Sequence, residues 1–161
     1  MKKLLCCIAL ASALSAPAFA ASLDHYVGRQ PEALLKSQPE FAKAYRSATK
    51  GVELPAWSKR LAAGKLAEIV VIDARRYILT SACSSRACLD ERLYVLFDPQ
   101  TNLACGLFYL PPASDDPGDA RTAFSRWYGL PADKAAAKAI ATFLLERAAN
   151  DTPSPADPPK T

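Results

Sequence analysis

The sequence predicts an α+β domain: a central antiparallel sheet of about five strands, flanked by helices, with a disulfide-closed loop projecting from it. Three observations carry this. From Ala67 onward, short apolar runs alternate with turn residues, too closely spaced for crossover helices between them. Several of those runs are apolar on both faces, so helices must cover much of each side of the sheet. Cys83 and Cys88, with four residues between them, stand where one run ends and the next is about to begin.

The first clear helix spans Pro39 to Ala48. Phe41, Ala44, Tyr45 and Ala48 stand at i, i+3, i+4 and i+7, with proline in the first turn and Gly51 beyond the end. A shorter helical turn is expected from Pro31 to Lys36. Gly51-Val-Glu-Leu-Pro-Ala-Trp57 then breaks and redirects the chain. Leu54-Pro55 should turn Trp57 inward to pack beneath the sheet, the alternative being a surface aromatic that binds a partner. The strand signals are Glu68–Ile72, Tyr77–Ser81, Arg92–Phe97 and Leu103–Leu110, joined through Asp73 to Arg76, the cysteine loop, and Asp98 to Asn102. A meander follows from connections this short. After Pro111-Pro112 and the acidic turn Asp115 to Gly118, Thr122–Tyr128 is the fifth strand candidate. Pro131 to Ala149 is an alanine-rich helix packing through Ala136, Ile140, Phe143 and Leu144.

Residues 1–20 read as a secretory signal peptide. Lys2-Lys3 precede an apolar run from Leu4 to Leu14, and Ala18-Phe19-Ala20 forms a small-x-small cleavage site. The run is too short to anchor the chain across a bilayer, and Cys6 and Cys7 would leave with it. Cleavage after Ala20 gives one domain at 21–150 and a proline-rich, flexible tail at 151–161 with no apolar anchor. Losing Lys2 and Lys3 lowers the formal charge from +4 to +2. So small an excess argues against nucleic acid or an anionic membrane surface as partner.

Three of the five cysteines remain after cleavage. An exported protein can keep a Cys83–Cys88 disulfide. Cys105 is then left over, on the same strand face as Leu103 and Leu107, either as a buried thiol packing as an apolar residue or as a partner in another disulfide. His25 is the sole histidine and lies far in sequence from these cysteines, so a histidine triad or multi-histidine metal site has little to build on. Three cysteines without a second spaced ligand pair do not make a zinc site, and glycine-rich phosphate loops are absent. A thiol oxidoreductase would favour two intervening residues and a helix N-terminus, where this chain has four residues and flanking strands. No catalysis, cofactor or metal is therefore expected.

In the disposition of these segments, the chain resembles the inhibitor of vertebrate lysozyme family, called Ivy, of exported bacterial proteins. The likeness runs from the Phe41–Tyr45 helix through Gly51–Trp57 and Tyr77–Cys83 to Leu93–Phe97, Gly106-Leu-Phe108 and the final helix. It implies a five-stranded antiparallel sheet flanked by helices, a periplasmic location and a homodimer. It also implies a target-binding loop at Cys83, Ser84, Ser85, Arg86, Ala87 and Cys88. The family's loop reads Cys-Lys-Pro-His-Asp-Cys, and its histidine enters the lysozyme cleft near the catalytic carboxyls. Here Arg86 stands in the histidine's place, and Ser84, Ser85 and Ala87 replace its neighbours. The expected function is binding, by loop insertion, to a lysozyme or a lytic transglycosylase. The alternative is a non-inhibitory homologue with another protein-binding or structural role in the cell envelope.

Overall fold

The structure, a computed structural model, describes residues 23–84, 88, 90–112 and 123–151. Two helices open it, α1 (Pro31–Ser37) and α2 (Pro39–Ala48), each with proline in its first turn, where the missing N–H is harmless. Gly51, at φ 75°, lets the chain leave α2 backwards. A short 3-10 turn, Ala56–Lys59, leads into the sheet.

Five strands follow as an antiparallel meander with spatial order β1-β2-β3-β4-β5: Ala63–Ile72, Arg75–Cys83, Arg92–Asp98, Leu103–Leu110 and Phe124–Tyr128. The helix α3 (Lys134–Asp151) closes the described fold. The α+β expectation is met, with α1 and α2 on one face of the sheet and α3 on the other.

Strand alternation divides the core into two layers. Ile78, Leu93, Val95, Phe97 and Phe108 join Leu34, Phe41 and Tyr45 of the first two helices. Tyr77, Leu79, Tyr94, Leu96 and Leu107 face Ile140, Leu144 and Ala148 of α3. Every residue of β3 from Leu93 to Asp98 is buried, as two-sided cover requires of a central strand.

Several boundaries differ from expectation, each for a local reason. β1 begins at Ala63 and its pairing slips between Lys65 and Glu68. That bulge conceals the early half from a strict period of two. Gly28 and Ala67 exchange hydrogen bonds with the opposite segment, Gly28 N to Ala67 O and Ala67 N to Arg29 O, both 2.8 Å. The N-terminal segment thereby covers the bulged part of an edge strand. Only Asp73 and Ala74 form the first hairpin loop, both with positive φ (48° and 62°), as the right-handed strand twist favours, so Arg75 and Arg76 belong to β2. The final helix starts at Lys134 and not at Pro131, because Asp133 caps it, accepting from the N–H groups of Ala135 and Ala136 at 3.3 and 3.2 Å. Leu103 shares a strand face with Cys105 and Leu107 yet is 63% exposed: it is the first residue of β4 and stands outside the core layer that includes α3.

One close approach fixes the middle of the sheet. Tyr128 of β5 reaches over β4 and donates its hydroxyl proton to the main-chain oxygen of Tyr94 at 2.6 Å. Gly106 of β4 lies beneath that ring and leaves it room.

Candidate target-binding loop

β2 ends at Cys83 and β3 begins at Arg92, with Ala82 and Leu93 paired as the strands run out. Their connection carries the candidate loop. Cys83 and Cys88 form the expected disulfide, with Cα atoms 4.9 Å apart. Cys83 is buried in the sheet, Ser84 half-buried and Cys88 exposed, so the bond joins a core position to the surface. Ser85, Arg86 and Ala87, the remaining candidate binding residues, lie outside the described residues.

Beneath the loop is a charged cluster absent from the sequence-based expectation. The Arg92 Nε–H donates to the carbonyl of Cys88 at 2.8 Å. Its Nη1 lies 3.5 Å from Oδ2 of Asp151, the last residue of α3. Asp151 also accepts from the Tyr94 hydroxyl at 3.1 Å and from Lys65 Nζ at 2.5 Å, although its side chain is only 9% exposed. Arg147, one turn earlier on α3, lies 4.0 Å from Asp151 Oδ2 by its Nε and pairs with Glu68. Burial pushes the Tyr94 hydroxyl well above its ordinary pKa, the Arg92 contact offsets part of the rise, and the Asp151 charge adds to it. Tyr94 therefore stays a proton donor to Asp151 throughout the physiological range.

The cluster had one signal in the sequence. An aspartate in the last turn of a helix opposes the helix dipole, a conflict that nearby cations and hydrogen-bond donors relieve. The sequence places Asp151 in the tail; in the structure the helix that carries it runs two residues beyond Ala149.

The same end of the sheet bears Phe124, 40% exposed, with the Arg126 guanidinium 5.4 Å from its ring centre. Arg126 also reaches Glu53, by Nη1, at 3.1 Å. Trp57 packs against the first core layer with its ring 6.3 Å from Phe108, a core role rather than a surface one. Its Nε1–H is buried without an acceptor. His25 is exposed, its ring tilted against that of Tyr26 with centroids 4.0 Å apart.

Among the described residues, no group of three or more His, Cys, Asp or Glu side chains could hold a metal ion. Nor is any helix among them long and apolar enough to cross a membrane. Neither loop cysteine stands at a helix N-terminus, the setting that lowers a thiol pKa.

Cys105 is a free, buried thiol. Burial, and secondarily the Asp98 carboxylate, push its pKa up to about 12. Folded protein should therefore resist iodoacetamide at pH 8, with Cys105 alkylated only after denaturant is added; rapid modification of the native protein would contradict this. A raised pKa favours the protonated thiol in the fold. The associated stability is complete below the unfolded-state value and declines as pH rises toward 12.

No protein-family model matches the chain, and no curated protein does.

Proposed function

We propose that this chain is an exported, Ivy-like binding protein that occludes the cleft of a lysozyme or lytic transglycosylase with its Cys83–Cys88 loop. The observation carrying the reading is the loop itself: it is closed by a disulfide, placed between central strands, and tied at Cys88 to the Arg92 side chain. A loop restrained before binding has little ordering entropy left to lose. Glycoside cleavage uses two carboxyls across a cleft, and a guanidinium such as that of Arg86 can donate charge-assisted hydrogen bonds to such groups. The chain acts, in this reading, by steric exclusion and not by catalysis. Export to the periplasm is part of the same proposal and rests on the leader-like residues 1–20.

Titrating mature protein into c-type lysozyme and into a lytic transglycosylase, while following peptidoglycan turnover, tests the proposal. Stoichiometric loss of turnover with either enzyme supports it; no binding to either removes it. Arg86→Ala should weaken the interaction by roughly 2 kcal/mol or more, with lysine restoring only part because it lacks the planar two-donor fork. Placing Lys, Pro, His and Asp at positions 84 to 87 should strengthen lysozyme inhibition. If that graft folds normally and gains nothing, the binding surface lies elsewhere. The departure of all four internal loop residues from the family's sequence favours a second reading, a homologue that binds a different envelope protein.

A further inference from the structure

We propose that Arg92 is a positioning residue for the Cys83–Cys88 loop, tying the carbonyl of Cys88 to the carboxylate that ends α3. Its geometry does not follow from the disulfide, and its purpose rests on the occlusion reading above. Arg92 opens β3, so its backbone is fixed by pairing with Tyr109 on β4. The guanidinium then divides its work. Nε–H donates to Cys88 O at 2.8 Å, while Nη1 turns toward Asp151 Oδ2 at 3.5 Å. The Arg92 side chain is only 15% exposed and that of Asp151 9%, so their attraction is little screened, while the bond to Cys88 reaches the surface.

Asp151 has other cover, since Lys65 and Tyr94 both donate to it. Holding the end of α3 therefore does not depend on Arg92 alone. Within the described cluster, Arg92 is the member that donates to Cys88 O. That contact distinguishes a residue acting on the loop from one acting only on the helix.

The consequence is readable in the isolated protein, without any target. When two glutathione thiols reduce the bond, the Cys83–Cys88 sulfurs take up two electrons and two protons, and one glutathione disulfide is released. In the resulting dithiol, the Arg92 contact still holds Cys88 near Cys83 and so favours re-closure. Without it, the open loop gains conformations and the disulfide form loses its advantage.

The test is equilibration of the mature protein in glutathione redox buffers, with thiol content read by mass after quenching. Arg92→Met keeps the packing of the stem and removes every donor. It should shift the equilibrium about tenfold toward the dithiol, or about 30 mV. Lys65→Met removes a cation from Asp151 but no contact from the loop, and it should stay within twofold of the parent. If Arg92→Met also stays within twofold, or Lys65→Met shifts as far as Arg92→Met, the positioning role is overturned. Should Arg92→Met fail to fold, Arg92→Gln is read by the same thresholds. Because no target is present, failure to inhibit any lysozyme or transglycosylase would leave this result standing, and the converse also holds.

Discussion

Gly106→Ala is expected to destabilise the fold by roughly 3 to 5 kcal/mol, a large share of what a domain of this size possesses. A methyl group there would stand 2.0 Å from the main-chain oxygen of Tyr94 and 2.3 Å from the Tyr128 hydroxyl. The first neighbour is backbone of the central strand and cannot turn aside. The second is a buried tyrosine whose hydrogen bond to that same oxygen would be displaced. Overpacking and a broken buried hydrogen bond therefore fall on one atom position. Urea unfolding of the variant beside Tyr128→Phe checks the mechanism. Tyr128→Phe alone should cost about 1 kcal/mol, and the double variant should be less destabilised than the sum, because the two changes share a contact. Gly106→Ala unfolding at the parent midpoint would show that the strands separate more freely than this packing allows.

Trp57→Ala should lower stability by about 3 kcal/mol, the lower end for loss of a large aromatic because the ring is only partly buried. Its packing against Phe108 helps close the first core layer. Trp57→Phe should cost far less, since the indole N–H is buried without an acceptor and its removal gives up no hydrogen bond. A lower urea midpoint with an unchanged slope is the expected signature in Trp57→Ala. Lost target binding at an unchanged midpoint would make Trp57 a contact residue.

The sheet was legible because its information is local. Alternating runs separated by Asp73-Ala74 and by Asp98–Asn102 admit only short connections, and short connections between antiparallel strands produce neighbours in chain order. Apolar residues on both sides of Tyr77–Ser81 and Arg92–Phe97 announced two covered faces, and both are covered. The helix starts divided differently. Pro39 at the first turn of α2 marked its true beginning, whereas Pro131 precedes the capping Asp133 by two residues. Either proline is compatible with a helix nearby, and the distinction rests on which side chain reaches the free N–H groups.

The base of the candidate loop was hidden because it is non-local. Lys65, Arg92 and Asp151 come from β1, β3 and the end of α3, and no spacing rule joins them. The pairing of Cys83 with Cys88 was readable from proximity in sequence, but the hold of Arg92 on Cys88 depends on where the final helix ends. In the sequence Gly106 stands out only as part of a Gly-Leu-Phe segment. Its physical reason lies in a tyrosine twenty-two positions later.

The meander order has a mechanical consequence. The Cys83–Cys88 connection springs from the second and third of five strands, so each of its supports has another paired strand behind it. A hairpin at the rim of a sheet can hinge outward when its tip meets resistance, because one of its legs is bonded on a single side. Here, a thrust on the tip is transmitted as shear along the β1-β2 and β3-β4 ladders, where many hydrogen bonds must slip together. The mounting is stiff along the strands, so under the proposed occlusion the shape of the tip rather than the give of its support would decide what it can enter.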